Sequence, residues 1–163
     1  MDESNQLFYL DTIYVSNEKT QEDVFRKVYF DLREKDLVTD DFLDNLIKRE
    51  QNYPTGLDMS PIDPGYPNIA IPHTEAEFVK TTRIVPIKLN HPIPFHNMIN
   101  PAEEFPVAYL FMILNGKGEE QAGILARIMD FCNATDRKQM LKFFELEDKQ
   151  KIYEFLKTNF PQN

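Results

Sequence analysis

Residues 49–57 read Arg-Glu-Gln-Asn-Tyr-Pro-Thr-Gly-Leu, and residues 69–74 read Ile-Ala-Ile-Pro-His-Thr. The second stretch is a short apolar run that ends at Pro72 and delivers His73 onto a loop. A polar group at a strand's exit is where folds of interleaved strands and helices tend to place function, though a histidine there is as readily an ordinary loop residue. The first stretch closes a helix with Lys48, Arg49 and Glu50 in its last turn and then turns at Pro54-Thr55-Gly56. Between the two, Pro54, Pro61, Pro64, Pro67 and Pro72 cluster with Gly56 and Gly65. Proline fixes φ and removes a donor, so most of this stretch is expected to be loop and turn. The spacing leaves the conformation of Asp58–Asn68 open.

Working outward, Phe8–Val15 is β-rich and partly alternating, which predicts a first strand. Capping side chains at 16–18 precede Thr20–Leu37, where Val24, Val28, Leu32 and Leu37 recur at near-helical spacing. Thr39-Asp40-Asp41 is a second capping cluster, followed by the apolar stripe Phe42, Leu43, Leu46 and Ile47. Downstream, Val79–Leu89 and Pro106–Leu114 read as strands, the second so apolar that it should be central. Asn115–Gly118 reads as a turn. Helices are expected over Glu119–Phe131, with Ala122, Leu125, Ile128 and Met129 inward, and over Asp136–Phe144 and Asp148–Asn159. Strands interleaved with helices predict an α/β fold, a single domain over residues 1–163 with one mixed β-sheet covered by helices.

Composition sets outer limits. The 163 residues suit one domain, and 42% hydrophobic with 28% charged residues is ordinary for a soluble globular chain. A formal net charge of −9 argues against a nucleic-acid partner, which calls for a basic face. It favours a protein partner with a basic face. The lone cysteine, Cys132, excludes an intrachain disulfide and a cysteine-based zinc cluster. Residues 1–5 lack the features of a secretory signal, and the longest wholly apolar run, Val107–Leu114, falls far short of the roughly 20 residues a membrane helix needs. The expectation is a cytoplasmic protein with no direct membrane insertion.

Three histidines are candidate acids, bases or nucleophiles: His73, His91 and His96. His91 and His96 sit in a proline-marked segment that reads as an exposed turn. His73-Thr74-Glu75 matches half of a zinc-deaminase signature, but a single cysteine cannot supply the other half. There is no nucleophile elbow, P-loop or dinucleotide fingerprint. Nothing in the sequence calls for a metal or cofactor.

Taken in order, "R-E … P-T-G-L … I-A-I-P-H" resembles the enzyme IIA component of the bacterial phosphoenolpyruvate-dependent sugar phosphotransferase system, in its fructose–mannitol–galactitol class. The likeness extends over most of the chain, more loosely at Glu119-Glu120-Gln121, where the family's preceding Asp-Pro is replaced by Lys117-Gly118. The resemblance implies an α/β domain of the IIA type 2 kind. It implies that His73 accepts a phosphoryl group from phospho-HPr and passes it to a cognate enzyme IIB, through which a membrane IIC component is served. It implies an active-site role for Arg49, whose planar fork suits phosphate oxygens. The less favoured alternative is a cation that complements the dipole at a helix C-terminus. Gln121 stands where mannitol- and fructose-type members carry a second histidine, which points toward a galactitol-type subtype. Its amide would bond the phosphoryl group or orient His73, unless it is an ordinary first-turn residue. Thr55 is a further possible donor, or makes a local turn bond. Competing expectations are a regulatory domain akin to nitrogen-related IIA proteins and a non-catalytic binding module.

Overall fold

The apolar run at 107–114 lies at the centre of the sheet, as its composition predicts. A computed structural model of the chain describes residues 6–117 and 121–161, with the side chains of Gln121 and Ala122 left outside that description. The elements are β1 (Tyr14–Ser16), α1 (Gln21–Glu34), α2 (Phe42–Asn52), β2 (Gly56–Leu57), β3 (Ile69–Ala70), β4 (Thr82–His96), β5 (Glu104–Asn115), α3 (Gln121–Ala134), α4 (Arg137–Glu145) and α5 (Lys149–Asn159). They form one mixed sheet in the order β1-β4-β5-β3-β2. β4 pairs antiparallel with β5 as a long hairpin, while β1 joins β4, and β3 joins β5, in parallel.

Strand alternation sorts the core into two layers. Tyr109, Phe111 and Ile113 of β5 pack with Ile128, Phe131, Met140, Phe143, Ile152 and Leu156 of α3, α4 and α5. Leu110, Met112 and Leu114 face the other way, against Val24, Phe25, Val28, Leu32, Phe42 and Leu46 of α1 and α2. A period of two therefore makes the strand apolar throughout, because helices cover both faces. The α/β fold with a mixed sheet is as predicted.

Several boundaries differ from the sequence reading. The segment expected as a first strand folds as a 3-10 turn at Leu10–Thr12 and pairs only at Tyr14–Ser16. Its apolar residues serve packing instead: the Phe8 ring meets Phe160 edge-on at 4.8 Å. The helix expected to reach Leu37 stops at Glu34, because Asp36 adopts φ 59 and sends the Leu37 N–H back to the Leu32 carbonyl, closing the helix with a left-handed cap. β4 runs on through the prolines to His96, so His91 and His96 belong to a strand and not to a turn. β1 covers β4 only from Ile87 to Leu89; beyond that point no strand among the described residues pairs with its outer edge, so Pro92 and Pro94 cost no ladder bond. On α3 the buried face is Ile124, Ile128, Phe131 and Cys132, with Leu125 and Met129 at its margin; the start expected at Glu119 lies outside the described residues. Asp136 and Asp148 cap α4 and α5 by accepting from Gln139 and Lys151 amides.

Candidate functional site

β3 is two residues long, yet its continuation is held against β5. The Ile113 amide donates to the Pro72 carbonyl at 3.0 Å, and His73 bridges Ile113 in parallel. This sets His73 at the C-terminal end of a parallel strand, half-buried. Nδ1 of the ring lies 2.9 Å from the Ile71 carbonyl oxygen. A carbonyl only accepts, so Nδ1 carries the proton and the neutral ring keeps its lone pair on Nε2. Burial pushes the His73 pKa below its ordinary value, and the Arg49 cation lowers it further, against opposing contributions from the Ile71 bond and Glu75. Near neutral pH the imidazole is therefore uncharged and nucleophilic.

Arg49 reaches this site from the last turn of α2. Its Nη1 pairs with Glu75 Oε1 at 3.2 Å, and its guanidinium lies 5.2 Å from the Tyr53 ring centroid. Glu75 is half exposed, so the ion pair contributes about 0–1 kcal/mol and yields readily to a stronger anion. The Glu75 amide donates to Asn45 Oδ1 at 3.4 Å, tying the loop after His73 to α2. Tyr53, 64% exposed, presents its ring to solvent beside this cation.

Thr55 takes a different position. It is buried, with its hydroxyl donating to Glu50 Oε1 at 2.8 Å and its amide donating to Glu50 Oε2 at 2.7 Å. The hydroxyl thus makes the local bond and not one toward His73. Gln121 opens α3, but its side chain lies outside the description. Gly56 is required by close approach, since a Cβ there would sit 2.6 Å from the His96 carbonyl oxygen. His96 itself bonds the Pro101 carbonyl through Nδ1 and faces Glu104 through Nε2, away from His73's partners. Among the described residues no group of three or more His, Cys, Asp or Glu could hold a metal.

Glu50 and Glu75 are the site residues that sequence reasoning passed over. Glu75 follows His73 by two positions, and Glu50 stands inside the quoted motif; charge alone does not distinguish a buried carboxyl from a solvated one. Burial pushes the Glu50 pKa up to about 7, against the lowering effect of the two Thr55 bonds and of His96. The unfolded carboxyl titrates near 4.5. The folded chain thus holds a proton that the unfolded chain has lost, and stability falls as pH rises from about 4.5 to about 7. Glu50→Gln removes that dependence. Its stability relative to the parent should rise by about 3 kcal/mol between pH 4.5 and pH 8, read from urea titrations at both values. An offset that does not change with pH would contradict burial of the charge.

A family model described as phosphoenolpyruvate-dependent sugar phosphotransferase system, EIIA 2, matches residues 6–159. No curated protein matches the sequence. Solved structures of similar shape include the mannitol IIA of Escherichia coli (17% identity, 91% of this chain and 98% of that one, TM-score 0.69). A complex of E. coli enzyme IIA for mannitol with phosphorylated enzyme IIB matches at 16% identity, 93% and 97% coverage and TM-score 0.70. The nitrogen regulatory protein IIA-Ntr of Neisseria meningitidis matches at 20% identity, 94% and 97% coverage and TM-score 0.65. At these identities the structural likeness is one of fold. No helix among the described residues is long and apolar enough to cross a membrane.

Proposed function

The chain belongs to the EIIA 2 family of the phosphoenolpyruvate-dependent sugar phosphotransferase system, and on that premise we propose that residues 1–163 act as one cytoplasmic phosphocarrier domain. Nε2 of His73 accepts a phosphoryl group from phospho-HPr and passes it to a cognate enzyme IIB. The observation that supports this most is the bond from Nδ1 of His73 to the Ile71 carbonyl, which leaves the Nε2 lone pair free on a ring that Arg49 attends.

In the acceptance step, the Nε2 lone pair forms a bond to phosphorus as the donor's phosphorus–nitrogen bond breaks and its electron pair returns to the donor imidazole. Little covalent help is needed; the protein supplies in-line positioning and charge stabilisation. Arg49 leaves Glu75 and takes the phosphoryl oxygens in its fork. Gln121 in place of a second histidine favours galactitol or a related polyol as the sugar finally served. The partner enzyme IIB parallels the E. coli mannitol complex.

Incubation with enzyme I, HPr and phosphoenolpyruvate should give an acid-labile, alkali-stable phosphoprotein, and absence of label overturns the reading. A second reading rests on the likeness to the Neisseria nitrogen regulatory protein. Under it, phosphate would be taken up but retained, with signalling through protein binding. Onward transfer of label to a galactitol-type enzyme IIB supports the carrier; retention by the charged protein supports the regulator.

A further inference from the structure

Four groups form a hydrogen-bonded series that ends on the reactive ring. The buried Glu50 carboxylate accepts from the Thr55 amide at 2.7 Å and from the Thr55 hydroxyl at 2.8 Å. The Thr55 carbonyl accepts from the Ile71 amide at 3.2 Å. The Ile71 carbonyl then accepts from Nδ1 of His73 at 2.9 Å. Pro72 fixes φ on the far side of that carbonyl and has its own carbonyl held by Ile113. The Ile71 peptide is therefore clamped from both directions, and Glu50 is the one carboxyl in the series.

We propose that Glu50 is a positioning residue for phosphoryl transfer: through Thr55 and Ile71 it holds His73 in the Nδ1–H tautomer and so selects Nε2 as the acceptor. The inference rests on the carrier reading for its consequence, though not for its structural content. A neutral imidazole left unrestrained divides between two tautomers, and only one has its lone pair on Nε2. Thr55 sits at the junction of β2 with β3, so its placement decides where the Ile71 carbonyl points. Two bonds from one residue to one carboxylate fix that placement with more directional precision than packing alone.

The titratable group facing Glu50 is His96 of β4, with Glu104 of β5 behind it; Arg49, its helix neighbour, turns to Glu75 instead. Ionisation of Glu50 near pH 7 therefore strengthens its grip on Thr55, and His73 should sense it.

The test is ring nitrogen-15 NMR of the unphosphorylated protein, labelled at histidine, with phosphoryl uptake measured in parallel. Glu50→Gln keeps an acceptor for the Thr55 amide and should keep the Nδ1–H signature of His73. Glu50→Ala should move the His73 shifts toward a tautomer mixture and slow uptake from phospho-HPr about tenfold, the equivalent of about 1.4 kcal/mol. A folded Glu50→Ala chain with parent ring shifts overturns the proposal. If Glu50→Ala does not fold, the pH titration decides. The parent should show a second step near pH 7 in the His73 Nδ1 shift, separate from the ring's own lower transition and absent in Glu50→Gln. Superimposable curves overturn the proposal. Because the ring shifts need no phosphodonor, a parent chain that takes no label sinks the carrier reading alone, while unchanged shifts sink the role of Glu50 alone.

Discussion

His73→Ala should take up no phosphoryl group from phosphoenolpyruvate, enzyme I and HPr, while the parent chain is labelled to completion. The other two imidazoles are poor substitutes. His96 has Nδ1 bonded to the Pro101 carbonyl and Nε2 facing Glu104, so a carboxylate stands where an incoming phosphoryl group would approach. His91 lies exposed on the outer part of β4. The substitution removes one half-buried hydrogen bond, worth about 0.5–1.5 kcal/mol, so the variant should stay folded and loss of label can be read as loss of the acceptor. Circular dichroism of the variant checks that condition. Label on the variant at the parent rate would place the acceptor elsewhere and remove the basis of the carrier reading.

The legibility of this fold in its sequence follows from what periodicity can encode. β5 was readable because helices cover both its faces, which makes it apolar from Val107 to Leu114. The helices expected over 136–144 and 148–159 form as α4 and α5, with Asp136 and Asp148 as their caps. The end of α1 was not, because a left-handed cap at Asp36 uses a residue with no glycine signal. The length of β4 was hidden by prolines whose harmlessness depends on β1 being only three residues long, a tertiary fact. β2, at two residues, is too short to show any period. The site was legible through a motif and not through spacing: Arg49 and His73 come from a helix end and a strand end, and only the packed loop with Glu75 brings them within electrostatic reach. The direction of the Thr55 hydroxyl depends on a carboxyl whose burial no composition reveals.

Arg49→Ala should slow phosphoryl transfer to His73 by about 10²–10³-fold, the usual effect of removing one preorganised group from developing transition-state charge. The chain supplies few alternatives. Glu75, the present partner of the guanidinium, repels a phosphoryl group once Arg49 is gone. Arg49→Lys should recover only part of the loss, because an ammonium restores the charge without the two-pronged geometry. A purely structural role at the end of α2 predicts the opposite ranking. There a lysine would serve the helix dipole as well as arginine, and the alanine variant would lose about 0.3–1 kcal/mol of stability with little change in rate. The titration of His73 gives an independent reading. Arg49 lowers the pKa of the ring and Glu75 raises it. Removing the cation therefore shifts the His73 pKa upward, and the acid limb of the pH–rate profile moves up with it, so the deficit grows as pH falls. Glu75→Gln should move both in the other direction. Single-turnover uptake measured from pH 5.5 to 8 separates the two effects: at high pH, where the ring is neutral in every variant, the remaining difference is transition-state stabilisation alone. An Arg49→Ala chain that matches the parent at high pH would reduce Arg49 to a tuner of the imidazole.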